Sequence, residues 1–297
     1  MEFRLLVTFE KVATLLSFTR AASELRYAQS SVTSQIRSLE STLGVELFER
    51  LGSRIRLTEA GERLLPYARR IIDLTDEARA AVTEAGEPAG TIAVGTMESL
   101  TSYRLPPLLE LFHHRYPEVR LALRPTLGDE TRQALRRGTY DIGFLIDPET
   151  EHAGLESEVL AAEPLVLVAS PRHALAGRTG LESADLAAAQ LVGTEPGCPY
   201  RDLFEEELRH WAPPFTEFGT LEATKRGVAA GLGIALLPRI AVSGELASGV
   251  LTELDWKPPF AVFTQIAWRR GKRLPAHVRL FVEQARRLVS EQSRSPE

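Results

Sequence analysis

One cysteine, Cys198, and two methionines stand among 297 residues. A single thiol excludes an intramolecular disulfide and fits a reducing compartment. No run of about eighteen apolar residues occurs, which argues against a membrane span. The first residues lack the basic head, apolar core and small-residue cleavage site of a secretory signal, so the expected location is cytoplasmic. Metal-ligand spacing is missing too. His113 and His114 are adjacent on a helical run and diverge, and His152, His173, His210 and His277 lie far apart in sequence. Gly231-Leu-Gly233 lacks a third glycine and precedes a strand pattern instead of following one, so it is not a dinucleotide turn. Trp211, Trp256 and Trp268 read as packing residues. No catalytic residue, metal or cofactor is expected.

What is present is ordinary in bulk, 44% hydrophobic and 25% charged, over a length that suits two or three domains. The net charge of −5 looks wrong for a nucleic-acid binder, but its distribution is uneven. Residues 1–58 carry eight Lys/Arg and six Asp/Glu, whereas the remainder carries 27 and 34. A mildly basic head on an acidic body suits a chain whose head alone meets phosphate.

That head has helical spacing throughout. Leu5, Phe9, Val12, Ala13 and Leu16 form one apolar stripe; Phe18, Ala21, Ala22 and Leu25 a second, with Ser17 placed as N-cap; Val32, Ile36, Leu39 and Leu43 a third, with Gly44 at the C-cap. The third helix turns Gln29, Ser30, Ser31, Thr33, Ser34 and Arg37 away from its stripe. Gln pairs with adenine edges, Arg with guanine, and Ser or Thr with bases or phosphate. Any surface helix is polar outside, so the face alone does not decide the matter. The tight preceding helix adds weight, as does a hairpin in which Ile55 and Leu57 alternate with Arg54 and Arg56 around Gly52-Ser53, a basic wing.

Residues 59–85 then form a long helical stretch ended by Gly86 and Pro88. Leu64, Ala68, Ile71, Thr75, Ala78 and Val82 repeat as a heptad seam, read either as a dimer helix or as a helix lying on its own domain. From Thr91 onward short β-rich runs (91–95, 119–124, 140–146, 165–169, 233–237, 262–268) alternate with helical ones (105–115, 131–137, 200–210, 221–230, 276–290). That alternation predicts an α/β body with largely parallel sheets. Three turns in it precede helices: 96–101, 194–200 and 219–222. Free N–H groups at helix starts favour anions, and such turns face one another across the cleft of an open α/β fold. Glu98 is an awkward neighbour there for an anion and suggests a polar, neutral or cationic ligand instead. Thr96, Ser99, Leu100, Thr101, Phe144, Gly197, Cys198 and Thr220 are the candidate small-molecule residues.

The run Ser17-Phe-Thr-Arg-Ala-Ala, then Gln29-Ser-Ser-Val-Thr-Ser-Gln-Ile-Arg-Ser-Leu-Glu, Leu43-Gly-Val-Glu-Leu-Phe-Glu-Arg and Leu57-Thr-Glu-Ala-Gly61 resembles the LysR-type transcriptional regulators. Leu105-Pro-Pro-Leu-Leu-Glu-Leu-Phe, Tyr140-Asp-Ile-Gly-Phe and Ala230-Gly-Leu-Gly-Ile-Ala-Leu-Leu-Pro238 extend the resemblance to the body. One departure is Ser34, where many members carry Arg. The resemblance implies a winged helix-turn-helix at 1–58, a dimerising linker helix at 59–88 and a two-lobed periplasmic-binding-protein-like α/β effector domain at 89–297. Its lobe I is expected at 89–163 and 267–297 and its lobe II at 164–266. It further implies double-stranded DNA with an interrupted inverted repeat, a small-molecule effector between the lobes, a homodimer within a homotetramer, and RNA polymerase as partners. One branch of the family senses peroxide through cysteines; here no second cysteine exists to resolve a sulfenic acid, so Cys198 reads as a buried or pocket-lining thiol. A solute-binding protein or an enzyme on the same two-lobed fold is the competing reading, disfavoured by the helical head and the missing catalytic constellation.

Overall fold

The computed structural model describes residues 2–51, 54–82 and 88–292. The chain forms two compact units. The first holds α1 (Phe3–Leu15), α2 (Phe18–Leu25), α3 (Gln29–Leu43), the hairpin of β1 (Phe48–Leu51) and β2 (Arg54–Leu57), and α4 (Glu59–Val82). Its core gathers Phe9, Val12, Ala21, Ala22, Val32, Ile36, Leu39 and Leu47. Phe48 of the hairpin closes this core, with ring centroids 5.5 Å from Phe9 and 5.7 Å from Phe18. The expected stripes are buried or half-buried, except at two ends: Leu16 sits past the end of α1 in a left-handed conformation and is half exposed, and Leu43 at the end of α3 is exposed. Ser17 accepts the Arg20 N–H at the start of α2, and Gly44 ends α3 at φ 71. The turn residues Gly52 and Ser53, and residues 83–87 where the linker helix is expected to end, lie outside the described residues.

Two of the residues expected in the α4 seam face the head instead. Leu64 packs against the head's core and Ala68 is fully buried in it, because the first half of α4 lies along α1. Arg69 fixes that contact through Glu10 at 3.5 Å and the Thr14 hydroxyl at 3.2 Å. The exposed apolar residues are instead Tyr67, Ile71 and Leu74, with Ala78 continuing the same 4-3-4 spacing. Thr75 is half-buried and donates its hydroxyl to the Ile71 carbonyl; the Val82 side chain is outside the described ones. Pro66 stands inside α4, a helix breaker that the periodicity does not reveal.

The second unit begins with β3 (Gly90–Thr96), a π-helical turn at Leu100–Arg104, α5 (Pro106–Arg115), β4 (Val119–Pro125), α6 (Gly128–Arg137), β5 (Ile142–Asp147) and β6 (Leu155–Ala162). The chain then crosses into a second lobe. That lobe has β7 (Leu165–Ala169), a 3-10 turn at Ser183–Leu186, β8 (Leu191–Gly193), α7 (Pro199–Leu208), β9 (Phe215–Glu217), α8 (Leu221–Ala229), β10 (Ala235–Pro238), α9 (Arg239–Ala247) and β11 (Thr252–Glu253). It returns through β12 (Phe263–Arg269) and ends in α10 (Ala276–Gln292).

The lobe I sheet is mixed, and lobe II has an antiparallel three-stranded sheet beside a parallel two-stranded one, which corrects the expectation of largely parallel sheets. Lobe I has the order β4-β3-β5-β12-β6: β3 runs parallel to β4 and β5, while the returning β12 is antiparallel to both β5 and β6. In lobe II, β7 is antiparallel to β10 and β11, and only β8 and β9 pair in parallel. A chain that leaves a lobe and re-enters it reverses direction on the way, so the returning strand cannot match its neighbours. The lobe II boundary expected at 266 also moves. β12 is already in the lobe I sheet from Phe263, paired with Asp147 and Ala162, so the return falls before that residue.

Candidate functional site

In the first unit, Val32, Ile36 and Leu39 pin one side of α3 in the core. Gln29, Ser30, Ser31, Ser34 and Arg37 are all exposed. Thr33 is half-buried and its hydroxyl donates to the Gln29 carbonyl at 3.0 Å, so it is partly committed to the helix. The α2–α3 turn passes through Arg26, held left-handed at φ 56. In the wing, Arg56 is exposed but paired across the hairpin with Glu49 at 2.6 Å. Such an exposed pair is worth about 1 kcal/mol or less, so the guanidinium is readily exchanged to a stronger anion. Arg54 lies on β2; its side chain is outside the described ones.

In the second unit, the carboxyl ends of β3 and β4 from lobe I meet the starts of α7 and α8 from lobe II around a cavity of about 610 Å³. Lobe I contributes Met97, Glu98, Ser99, Pro125, Thr126, Leu127 and Glu130; lobe II contributes Thr194, Glu195, Cys198, Tyr200, Gly219, Thr220 and Leu221. Of the expected effector residues, Ser99, Cys198 and Thr220 line it. The others do not. Thr96 is fully buried, its hydroxyl donating to the Met97 carbonyl. Thr101 donates to the same carbonyl, one turn on. Leu100 is in the core, and Phe144 lies inside lobe I against Phe281 at 6.1 Å. Gly197 is exposed on the loop rim, at φ 86. The misses have separate causes: the end of β3 and all of β5 are buried on both faces, Leu100 and Thr101 fall in a helical turn, and Gly197 has no side chain to offer. The β4–α6 loop, Pro125 to Glu130, is missing from the expected set. Its signal is present in the chain, since it joins a strand to a helix in the same way as the three expected turns.

The cleft carries its own electrostatics. Glu98 does not turn away: its Oε2 accepts the Leu221 N–H at 3.1 Å, capping α8 of the opposite lobe alongside Thr220, which accepts the Ala223 N–H. Burial pushes the Cys198 thiol up to about 11 and holds the Tyr200 phenol above its usual range. Cys198 is therefore a protonated thiol at neutral pH, a poor nucleophile toward peroxide. Of the buried hydroxyls on the wall, Ser99 Oγ has no hydrogen-bond partner, while Thr194 Oγ1 is shared with Cys198 and Tyr200. Behind the cleft, where both crossovers leave lobe I, Glu163 receives Arg104 at 2.9 and 2.8 Å and the Thr264 hydroxyl at 2.6 Å.

A winged three-helix head joined to a two-lobed α/β body with an interlobe cleft is the architecture of a ligand-responsive DNA-binding regulator. The model of the bacterial regulatory helix-turn-helix protein, lysR family, matches residues 3–62, and that of the LysR substrate binding domain matches residues 85–290. The chain belongs to the LysR family of transcriptional regulators. It is 40% identical to the uncharacterized HTH-type transcriptional regulator YwqM of Bacillus subtilis, over 97% of this chain and 99% of that one. It is 34% identical to the uncharacterized regulator YfiE of Escherichia coli, over 95% and 97%. Among solved structures, a full-length OxyR variant from Pseudomonas aeruginosa superposes with a TM-score of 0.81 at 25% identity, covering 100% of this chain and 98% of that one. These relatives are regulators and not enzymes, and none of the described helices is long and apolar enough to cross a membrane.

Proposed function

We propose that this regulator reads its operator through α3 and answers a small molecule held in the interlobe cleft. Gln29, Ser30, Ser31, Ser34 and Arg37 contact base edges and phosphate in the major groove, with Thr33 in a supporting place, while Arg54 and Arg56 of the wing meet the backbone. The observation that carries this reading is the division of α3 into a core-anchored face, Val32, Ile36 and Leu39, and an exposed face of hydrogen-bonding side chains. A recognition helix must be held rigidly by one side so that the other can read.

Residues 1–58 act as the head, 59–88 as the linker and the remainder as the effector domain. Self-association runs along Tyr67, Ile71, Leu74 and Ala78, giving a dimer whose two heads face an interrupted inverted repeat, and two dimers form the tetramer. RNA polymerase receives the output. The cleft, with Ser99, Cys198 and Thr220 on its wall, takes the effector.

The test is binding to upstream DNA fragments over a salt series. Arg56→Ala lowers affinity for every sequence alike and flattens the salt slope by about one ion, whereas Gln29→Ala relaxes preference at particular bases, at about 1–3 kcal/mol per lost contact. Uniform loss across operator variants for Gln29→Ala would remove it from the base-reading set.

A further inference from the structure

The cleft's wall points to a class of ligand. Ser99 is 4% exposed, lines the cavity and leaves its hydroxyl unpartnered, whereas the Thr194 hydroxyl of the same lining is shared with Cys198 and Tyr200. A buried hydroxyl is rarely left unpartnered, and that of Ser99 marks where a polar ligand atom belongs. The sign of the ligand's charge follows from a balance. The N-cap residues of α6, α7 and α8 (Leu127, Cys198 and Thr220) all line the cavity, and each helix start carries roughly half a positive charge, about 1.5 together. Alone this favours an anion.

Three full negative charges outweigh it. Glu98, Glu130 and Glu195 line the cavity, and no Lys or Arg does. The helix starts are also partly spoken for: Glu98 and Thr220 take the Leu221 and Ala223 N–H groups of α8, and α7 opens with a proline that has no N–H, whereas α6 has no side-chain cap. Arg201, which donates to the Thr194 carbonyl, is held by Glu205 and Glu217. Glu130 and Glu195 make no ion pair among the described residues.

Building on the cleft reading above, we propose that the effector is a small amine-bearing cation, its ammonium group bound by Glu130 and Glu195 and a hydrogen-bonding group met by Ser99. A ligand carboxylate finds the start of α8 already occupied by Glu98, whereas an ammonium neutralises two carboxylates of the lining and keeps all three of its donors satisfied.

Isothermal titration of the full chain with agmatine and butane-1,4-diamine, against succinate and benzoate, tests this. The expected result is binding of at least one amine and of neither anion, with Glu130→Gln and Glu195→Gln each weakening it about tenfold or more. Binding of an anion in place of the amines, amine binding indifferent to both substitutions, or no binding by any probe overturns the proposal. Ser99→Trp, which fills the cavity, separates the two levels. Anion binding lost in Ser99→Trp sinks the cation alone, whereas binding of any probe that survives in Ser99→Trp sinks the cleft as the effector site.

Discussion

Replacing Glu163 by Gln tests how the two lobes are tied together. Glu163 and Arg104 are 3% and 4% exposed and form a bidentate pair, and the Glu163 carboxylate also accepts the Thr264 hydroxyl. The Glu163 N–H reaches the Val262 carbonyl at 2.9 Å, so both crossover segments converge on this residue. At 2.8 Å and an effective dielectric of about 20, the gross attraction is on the order of 6 kcal/mol. Desolvation cancels much of it, so the pair adds little net stability, but removing one partner strands the other. The expected cost of Glu163→Gln is about 3–5 kcal/mol, a large share of the roughly 5–15 kcal/mol that a domain has. Replacing both partners, Arg104→Met with Glu163→Met, recovers most of that loss. The assay is urea unfolding followed by tryptophan fluorescence, which reports only the second unit because Trp211, Trp256 and Trp268 all lie there. A cost below about 1 kcal/mol for the single variant, or a double variant as unstable as the sum of both singles, refutes the reasoning.

Two further outcomes follow from close contacts and burial. A methyl group on Gly61 would stand 2.3 Å from the Leu47 carbonyl oxygen and 2.8 Å from Leu57, so Gly61→Ala destabilises the head by about 1–3 kcal/mol despite the better helix propensity of alanine; hydrogen exchange in α1 and α3 reads the loss, and unchanged protection there contradicts it. Cys198 resists iodoacetamide in the native protein at pH 8 and reacts once unfolded. Its folded value of about 11 lies above the usual 9.0, so its contribution to stability is intact below pH 9 and falls as pH rises toward 11, by about 2–3 kcal/mol in all; rapid native alkylation or a flat profile across that window counts against the burial account.

Much of the head is legible in the sequence because its helices obey one rule: a single apolar stripe of short repeat, closed by a cap. Val32, Ile36 and Leu39 can be assigned to the core from spacing alone, and they are there. The same rule puts Leu64 and Ala68 in one seam with Ile71 and Ala78, although the first two pack on the head and the last two are exposed. Two apolar stripes, Leu64 and Ala68 toward α1 and Tyr67, Ile71 and Leu74 toward solvent, run side by side on that helix, and periodicity cannot say which neighbour each one meets. Strand β6 is missing from the expected strands for a different reason. It is an edge strand, and Glu156 and Glu158 along it pair with Trp268 and Arg286, so its polar alternation reads as loop. Strands β8, β9 and β11 are two or three residues long, too short to show any period.

The cleft shows where local reading stops. Helix starts at 128, 199 and 221 are written in the chain, and each alone predicts attraction for an anion. What reverses the sign is convergence: Glu98, more than a hundred residues from Leu221, reaches its backbone N–H, and Glu195 of lobe II and Glu130 of lobe I line the same cavity. A carboxylate near a helix start in sequence stabilises that helix, but one brought there from a distant loop takes the place a ligand would have held. Whether such a turn is a vacant anion site or one already filled is decided by tertiary pairing. The same pairing makes Glu98 a direct link between the lobes, so that a ligand competing for the start of α8 must also break a lobe-to-lobe contact, and binding and lobe geometry are coupled through a single hydrogen bond of 3.1 Å.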